Sequence, residues 1–149
     1  MVRQHYSRHV WLTLWLFGVA TPLATGVEVA NIAMDRALTT QPGDARRGAL
    51  IATDTRKGNC GICHALPIGT ISADAFGNLG PPLAGVGSRL RVPQLRQRIV
   101  DPRVISAQTV MPAYFSTDGL TRVDPAYAGK TILSAQDVED LVAFLASLK

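Results

Sequence analysis

Two cysteines and a histidine lie close enough together in this sequence to act as one chemical unit. The segment reads Cys60-Gly61-Ile62-Cys63-His64, a C-x-x-C-H motif. At this spacing the thiols can each add to one vinyl group of a haem, forming thioether bonds along one edge of the macrocycle. The adjacent histidine can turn its imidazole towards the iron while its other ring nitrogen is held by a hydrogen-bonding partner. The motif therefore predicts one covalently bound haem c, attached through Cys60 and Cys63, with His64 as an iron ligand.

The same three side chains fit other chemistries, which the surrounding sequence favours less. A thioredoxin-like redox pair also uses C-x-x-C, but no βαβ pattern surrounds this motif. A structural zinc site needs about four ligands, and few other cysteine or histidine side chains accompany the motif. A plain disulfide between Cys60 and Cys63 would close so short a loop that it would constrain the chain little.

The first 26 residues are organised like a secretory signal peptide. A polar start with Arg3 and Arg8 precedes an uncharged apolar run over residues 10–20, and small residues follow. That run has 11 residues, whereas a transmembrane helix needs about 20. We expect residues 1–26 to be removed on export to the periplasm, with an uncleaved anchor as the alternative. Residues 27–149 then form one domain without a stable membrane anchor.

Removal of the signal peptide also changes the charge of the chain. The full sequence of 149 residues has a formal net charge of +4, and the two signal-peptide arginines account for half of it. The small remaining charge, without interleaved aromatic residues, does not indicate a nucleic-acid partner. An apolar content of 47% excludes a disordered tail, which could not bury enough surface to offset its chain entropy.

A sixth iron ligand has few candidates, because His64 is the only histidine in the sequence outside the predicted signal peptide. The remaining methionines there are Met34 and Met111. A lone methionine is usually adaptable core filler, but a haem that needs a distal ligand favours Met111, where Pro112 fixes the direction of the following chain. Met34 and an open site are the alternatives. Methionine opposite histidine raises the reduction potential and leaves no free position on the iron, which predicts electron transfer.

Three helices and several loops are predicted to position these residues. The first helix covers about residues 44–52, the second 93–100, and the third follows a Ser134 cap with Asp137 as its capping-box partner. No segment shows strand alternation, and residues 106–130 form one long loop. A loop of this length indicates a cofactor on which loops can pack in place of a conventional core. The sequence thus predicts a mainly α fold with long loops packed around a haem.

Further motifs extend beyond the C-x-x-C-H segment. They comprise residues 77–89 (GNLGPPLAGVGSR), 94–96 (QLR) with 99–102 (IVDP), 110–114 (VMPAY) with 117–120 (TDGL), and 132–140 (ILSAQDVED). With these motifs the chain resembles the c-type cytochromes and, more narrowly, the SoxX family, the monohaem subunit of the Sox thiosulfate-oxidising system. The resemblance implies a class I-like cytochrome c fold in which the C-terminal helix crosses the N-terminal one. It also implies that the carbonyl of Pro81 accepts a hydrogen bond from the proximal histidine.

The resemblance further implies partners and a place in an enzyme complex. SoxX-type subunits pair with a larger haem-containing catalytic subunit in a periplasmic heterodimer. The complex joins thiosulfate oxidatively to a cysteine of a separate sulfur-carrier protein, as an L-cysteine S-thiosulfotransferase. The subunit seen here would have no catalytic residue of its own and would pass electrons to a soluble cytochrome. The alternatives are a stand-alone electron-shuttle cytochrome and, from another class, a thiol–disulfide oxidoreductase.

Several basic and aromatic residues stay ambiguous at the level of sequence. Five arginines lie within fifteen residues: Arg89, Arg91, Arg96, Arg98 and Arg103. They either form a solvated helix face, or include one or two partners for haem propionates or for an acidic protein. Tyr114 and Phe115 either cover the haem edge or pack the loop. Residues 117–130, with Tyr127, are a candidate partner-binding segment.

Overall fold

The computed structural model describes residues 34–69 and 71–149, which form α-helices joined by loops and short 3₁₀ turns. The helices are α1 (Ala45–Thr53), α2 (Val86–Arg89), α3 (Val92–Val100) and α4 (Ala135–Ser147). The 3₁₀ turns are Cys60–Ile62, Ala73–Ala75, Pro102–Val104 and Pro125–Tyr127. No β-strand occurs in these two ranges, so the predicted mainly α architecture is confirmed.

Two predictions concern the signal peptide and a membrane anchor. The predicted signal peptide, residues 1–26, lies outside the described residues and stays a prediction, as does the domain boundary at residue 27. Within the described ranges, none of the helices is long and apolar enough to cross a bilayer.

Helices α1 and α4 cross at close range, as the cytochrome resemblance implied. Gly48 of α1 makes this approach possible, because a Cβ there would lie 2.6 Å from the backbone carbon of Asp140 and 2.7 Å from the Cβ of Phe144. The buried cluster around the crossing consists of Ile51, Ala52, Leu66, Ile99, Leu133, Val138, Leu141, Val142 and Phe144. Burial of each large aliphatic or aromatic side chain contributes about 1.5–3 kcal/mol, so this cluster stabilises the crossing of the two helices.

Side-chain caps set the starts of both crossing helices. The Oδ1 of Asp44 accepts from the backbone N–H groups of Arg46 and Arg47 at 2.8 and 2.9 Å. At α4, Ser134 and Asp137 form the predicted capping box, each side chain accepting from the other residue's backbone N–H. Caps of this kind satisfy N–H groups that have no partner within the helix and contribute about 1 kcal/mol. Both predicted helices are therefore present where the sequence placed their first turns.

A buried ion pair ties α3 to α4. Arg96 donates from Nε and Nη2 to the two carboxylate oxygens of Glu139, at 2.7 and 2.9 Å, and its side chain is only 4% exposed. The same pair holds the segment before α1, since Arg96 also donates to the carbonyl of Met34 and Glu139 accepts from the N–H of Leu38. The expectation of a solvated face is therefore wrong for Arg96. Its charge is buried because a carboxylate on another helix neutralises it.

The middle of the chain has less regular structure, as predicted, with one addition. Helix α3 begins one residue before the predicted start and ends at the predicted residue. Helix α2 was not predicted, because the glycines around it do not favour a helix. It packs on the end of α4, where the N–H of Gly87 donates to the carbonyl of Leu148 at 2.8 Å. The predicted long loop, residues 106–130, contains only the short 3₁₀ turn Pro125–Tyr127.

Candidate haem site

The C-x-x-C-H segment follows α1 after a tight turn. Gly58 is buried and donates its N–H to the carbonyl of Ile51 at 3.2 Å, which folds the chain back against the end of α1. The next residue, Asn59, has φ 44°, the left-handed conformation that asparagine tolerates better than most residues. The 3₁₀ turn Cys60–Ile62 then lets Cys60 O accept from the N–H groups of both Cys63 and His64. This turn places the motif residues on one short, hydrogen-bonded loop.

No disulfide joins Cys60 to Cys63, and the environment of Cys60 is unlike that of a redox pair. Burial raises the pKa of the Cys60 thiol to about 11. Thiol–disulfide oxidoreductases need an attacking thiolate, and their cysteines have lowered pKa values for that reason. The oxidoreductase alternative therefore finds no support in the electrostatics of Cys60.

The imidazole of His64 is fixed from two sides. Its Nδ1 lies 2.7 Å from the carbonyl oxygen of Pro81, the contact that the family resemblance implied. Gly80 lies flat against the ring, since a Cβ there would come within 2.6 Å of Nδ1 and 2.7 Å of Nε2. Because a carbonyl only accepts, Nδ1 is the donor in this contact, and in the neutral imidazole the lone pair then lies on Nε2.

The loop that contains Pro81 is itself held by hydrogen bonds. Arg89 donates to the carbonyls of Ala84 and Pro82 at 2.7 and 3.1 Å. The N–H of Gly80 donates to Cys63 O at 2.8 Å. The acceptor for His64 is thereby fixed relative to the motif.

A cavity of about 860 Å³ contains all four residues predicted to bind the cofactor: Cys60, Cys63, His64 and Met111. Its lining is largely apolar and includes Leu95, Ile99 and Leu141. Ligand pockets of roughly 300–1,000 Å³ with a few convergent polar groups are typical of cofactor sites.

The charges of this lining also suit a haem. Among the described residues that line the cavity there is no Asp or Glu, whereas Lys57, Arg89 and Arg98 are present. An apolar cavity with basic residues fits a macrocycle that carries two carboxylates. The residues present therefore fit a haem.

The distal part of the site is a loop held against α3. The N–H groups of Tyr114 and Phe115 donate to the carbonyls of Ile99 and Val100 at 3.1 and 3.2 Å, and Tyr114 O accepts from the N–H of Leu133. Met111 precedes this anchored part and lines the cavity. The described cavity lining does not include Met34, whose carbonyl instead contacts Arg96. Of the two candidate methionines, the structure brings only Met111 to the motif.

The structure gives different environments to the aromatic and basic residues whose roles the sequence left open. Tyr114 lines the cavity and also packs against the core, and burial raises its pKa to about 12. Phe115 packs against the core and is not among the described residues that line the cavity. Arg103 forms a two-pronged pair with Asp101.

One basic residue of the lining was not recognised in the sequence. It is Lys57, whose ammonium lies 2.7 Å from Asp137. The sequence did not predict this contact, because Lys57 and Asp137 are 80 positions apart.

The family comparison agrees with this geometry. The Cytochrome c family model matches residues 45–149. The chain belongs to the cytochrome c family. The cytochrome fold and the predicted haem c are thereby confirmed.

A solved structure shows which cytochromes this chain is similar to. The crystal structure of SoxXA from P. pantotrophus has 35% sequence identity to this cytochrome and a TM-score of 0.69. The alignment covers 77% of this chain and 88% of that chain. A search of the curated proteins finds no significant match. The resemblance to a SoxX-type cytochrome is therefore confirmed at the level of structure and sequence.

Proposed function

We propose that this cytochrome is the electron-transfer subunit of a periplasmic heterodimer that oxidatively couples thiosulfate to a cysteine of a sulfur-carrier protein. The observation that carries this proposal is the match to SoxXA, at 35% identity over most of both chains. The partner is a larger haem-containing subunit, which holds the catalytic centre. The final acceptor is a soluble cytochrome.

The cofactor in this proposal is held entirely by the motif and the distal loop. Cys60 and Cys63 would form the thioether bonds, and His64 and Met111 would be the iron ligands. The cavity that these four residues share supports the assignment, as does the proton on His64 Nδ1, which leaves Nε2 available to a metal. Haem c supplies one-electron chemistry at this site.

The same residues explain why this subunit transfers electrons and does not bind substrate. With His64 and Met111 both supplied by the chain as iron ligands, no position would remain for thiosulfate. The sequence contains two cysteines, and both would be used for haem attachment, so no thiol would be left to carry sulfur from thiosulfate. Joining thiosulfate to a cysteine thiolate releases an electron pair, and this subunit passes those electrons on singly.

Lys57, Arg89 and Arg98 are suited to balance the propionates, because they are the basic side chains of the described cavity lining. Arginine forms strong, directional hydrogen bonds with carboxylates. Of these three residues, Lys57 is paired with Asp137 and Arg89 holds the Pro81 loop. Arg98 donates only to Gln94 O among the described contacts, so it keeps the most donors available.

The proposal is tested by reduction of the oxidised cytochrome by thiosulfate. We expect reduction when the larger haem subunit and the sulfur carrier are both present, and none with thiosulfate and carrier alone. A carrier in which the acceptor cysteine is changed to serine is the control, and it should abolish reduction. Failure of the complete mixture to reduce this cytochrome contradicts the proposal.

A stand-alone shuttle is distinguished by purification from the native source. A subunit of a heterodimer brings a second, larger haem protein through successive columns, whereas a shuttle elutes alone. If this cytochrome elutes as the single haem protein even at low salt and high concentration, where a complex should persist, the stand-alone shuttle is favoured.

A further inference from the structure

One side-chain hydrogen bond joins two distant residues of the cavity lining. The hydroxyl of Tyr114 donates to the carbonyl of Gly58 at 2.8 Å, across 56 positions of sequence. Both residues line the cavity, together with Cys60 and Met111. The bond therefore connects the attachment side of the cavity to its distal side.

The Gly58 end of this bond is rigid. Gly58 is buried, and its N–H donates to the carbonyl of Ile51 in α1. A Cβ on Gly58 would lie 2.6 Å from that carbonyl oxygen, so the backbone here lies directly against the helix. Cys60 follows two residues later, which fixes the hydrogen-bond acceptor relative to the haem attachment point.

The Tyr114 end belongs to the loop that presents Met111. The backbone of Tyr114 is bonded to Ile99 on one side and to Leu133 on the other. Met111, three residues earlier, has a backbone N–H contact only to the hydroxyl oxygen of Thr109 in its own loop, at 3.2 Å. The position of the thioether therefore depends on the anchored residues that follow it. Among these, Tyr114 is the one whose side chain is hydrogen-bonded to Gly58, next to the attachment motif.

We propose that Tyr114 is a positioning residue that keeps Met111 within reach of the haem iron, through its hydrogen bond to Gly58. The proposal rests on the assignment of Met111 as an axial ligand under the proposed function. Loss of the bond leaves the ring in place but frees the distal loop from the attachment segment. Met111 then leaves the iron more readily while the rest of the fold is retained.

The test compares Tyr114→Phe with Tyr127→Phe in the holoprotein. Tyr127 is a matched control because it is 67% exposed and lies far along the loop from Met111. The readout is the sulfur-to-iron charge-transfer band of the oxidised protein, followed against urea concentration alongside helical circular dichroism. We expect Tyr114→Phe to raise the equilibrium constant for loss of the band by about 2- to 10-fold, the usual effect of one hydrogen bond. Tyr127→Phe should leave it unchanged.

The two signals separate positioning from general stability. The proposal requires that Tyr114→Phe lowers the urea midpoint of the band by more than it lowers that of helicity. The proposal would be overturned if Tyr114→Phe shifted the urea midpoints of the band and of helicity equally. It would also be overturned if the band midpoint of Tyr114→Phe equalled that of Tyr127→Phe.

A third variant keeps the outcome distinct from the proposed function. Met111→Ala should remove the band altogether. If the band persists in that variant, the ligand assignment is wrong. If the band is lost there but Tyr114→Phe behaves like the wild type, only the positioning role fails.

Discussion

The imidazole of His64 donates from Nδ1 to the carbonyl oxygen of Pro81, 2.7 Å away, across 17 positions of sequence. This contact joins the C-x-x-C-H turn to a loop of glycines and prolines, and it selects the tautomer with a free Nε2. Gly80 makes the contact possible because its lack of a side chain lets the backbone lie against the ring. The orientation of the proposed proximal ligand is therefore set by the neighbouring loop as well as by the motif.

Substitution of Gly80 by alanine should displace the imidazole. The added Cβ would lie 2.6 Å from Nδ1, so either the ring or the loop must move. Overpacking of this kind costs about 1–3 kcal/mol, and here part of that cost falls on the bond to Pro81. We expect a lower yield of holoprotein and a lower urea midpoint.

Gly69→Ala is the matched control, because nothing lies within 4 Å of a Cβ at that position. It should behave like the wild type in both yield and urea midpoint. Equal behaviour of the two alanine variants would show that the ring and loop adapt without strain.

Replacement of Met111 by alanine should abolish the sulfur-to-iron charge-transfer band and lower the reduction potential, because a methionine thioether favours Fe(II). Met34→Ala is the control, since Met34 is not among the described residues that line the cavity. It should keep the band. Loss of the band in Met34→Ala with its retention in Met111→Ala would reverse the assignment.

Local signals in the sequence predicted a large part of this structure. The caps at Asp44 and Ser134 act within three residues of themselves, so their sequence patterns place α1 and α4 correctly. The C-x-x-C-H spacing predicts haem attachment because both thiols and the imidazole act on one cofactor. Met111 emerged by elimination, because few potential ligands follow the predicted signal peptide.

Contacts between distant residues could not be predicted in the same way. Arg96 and Glu139 are 43 positions apart, and Tyr114 and Gly58 are 56 apart. The five arginines between residues 89 and 103 look alike in the sequence, but the structure buries Arg96 against a carboxylate and places Arg98 at the cavity. The environments of Arg96 and Arg98 differ because of how α3 packs on α4, which the sequence does not reveal.

Acid should destabilise the cytochrome through Asp140. Its carboxylate accepts from Arg47 Nε at 2.7 Å and from the Asp44 N–H at 2.8 Å, and its side chain is 3% exposed. The hydrogen bond from Arg47 is the main cause that lowers the pKa of Asp140 from 3.8 to about 2. Because the pKa is lower in the folded state, the stabilisation is complete above about pH 4 and is lost as the pH falls towards 2.

The shift corresponds to roughly 2 kcal/mol of unfolding free energy. Urea unfolding of the wild type and of Asp140→Asn, each between pH 6 and pH 2.5, measures it. The variant should be less stable at pH 6, and its stability should fall less on acidification. Parallel pH profiles for the two proteins would contradict the role assigned to Asp140.

Replacement of Arg98 by glutamine should lower the reduction potential. Arg98 lines the cavity on α3, so its positive charge would favour the reduced iron of the proposed haem. Loss of one charge that acts through a partly solvated interior shifts the potential by roughly tens of millivolts. Arg46→Gln on the exposed side of α1 removes the same charge outside the cavity lining, so it should shift the potential less, and its shift should vanish with added salt. Spectroelectrochemical titration at low and high salt measures the reduction potential of both variants. If the two potentials shift equally, and both shifts vanish at high salt, Arg98 lies outside the haem environment.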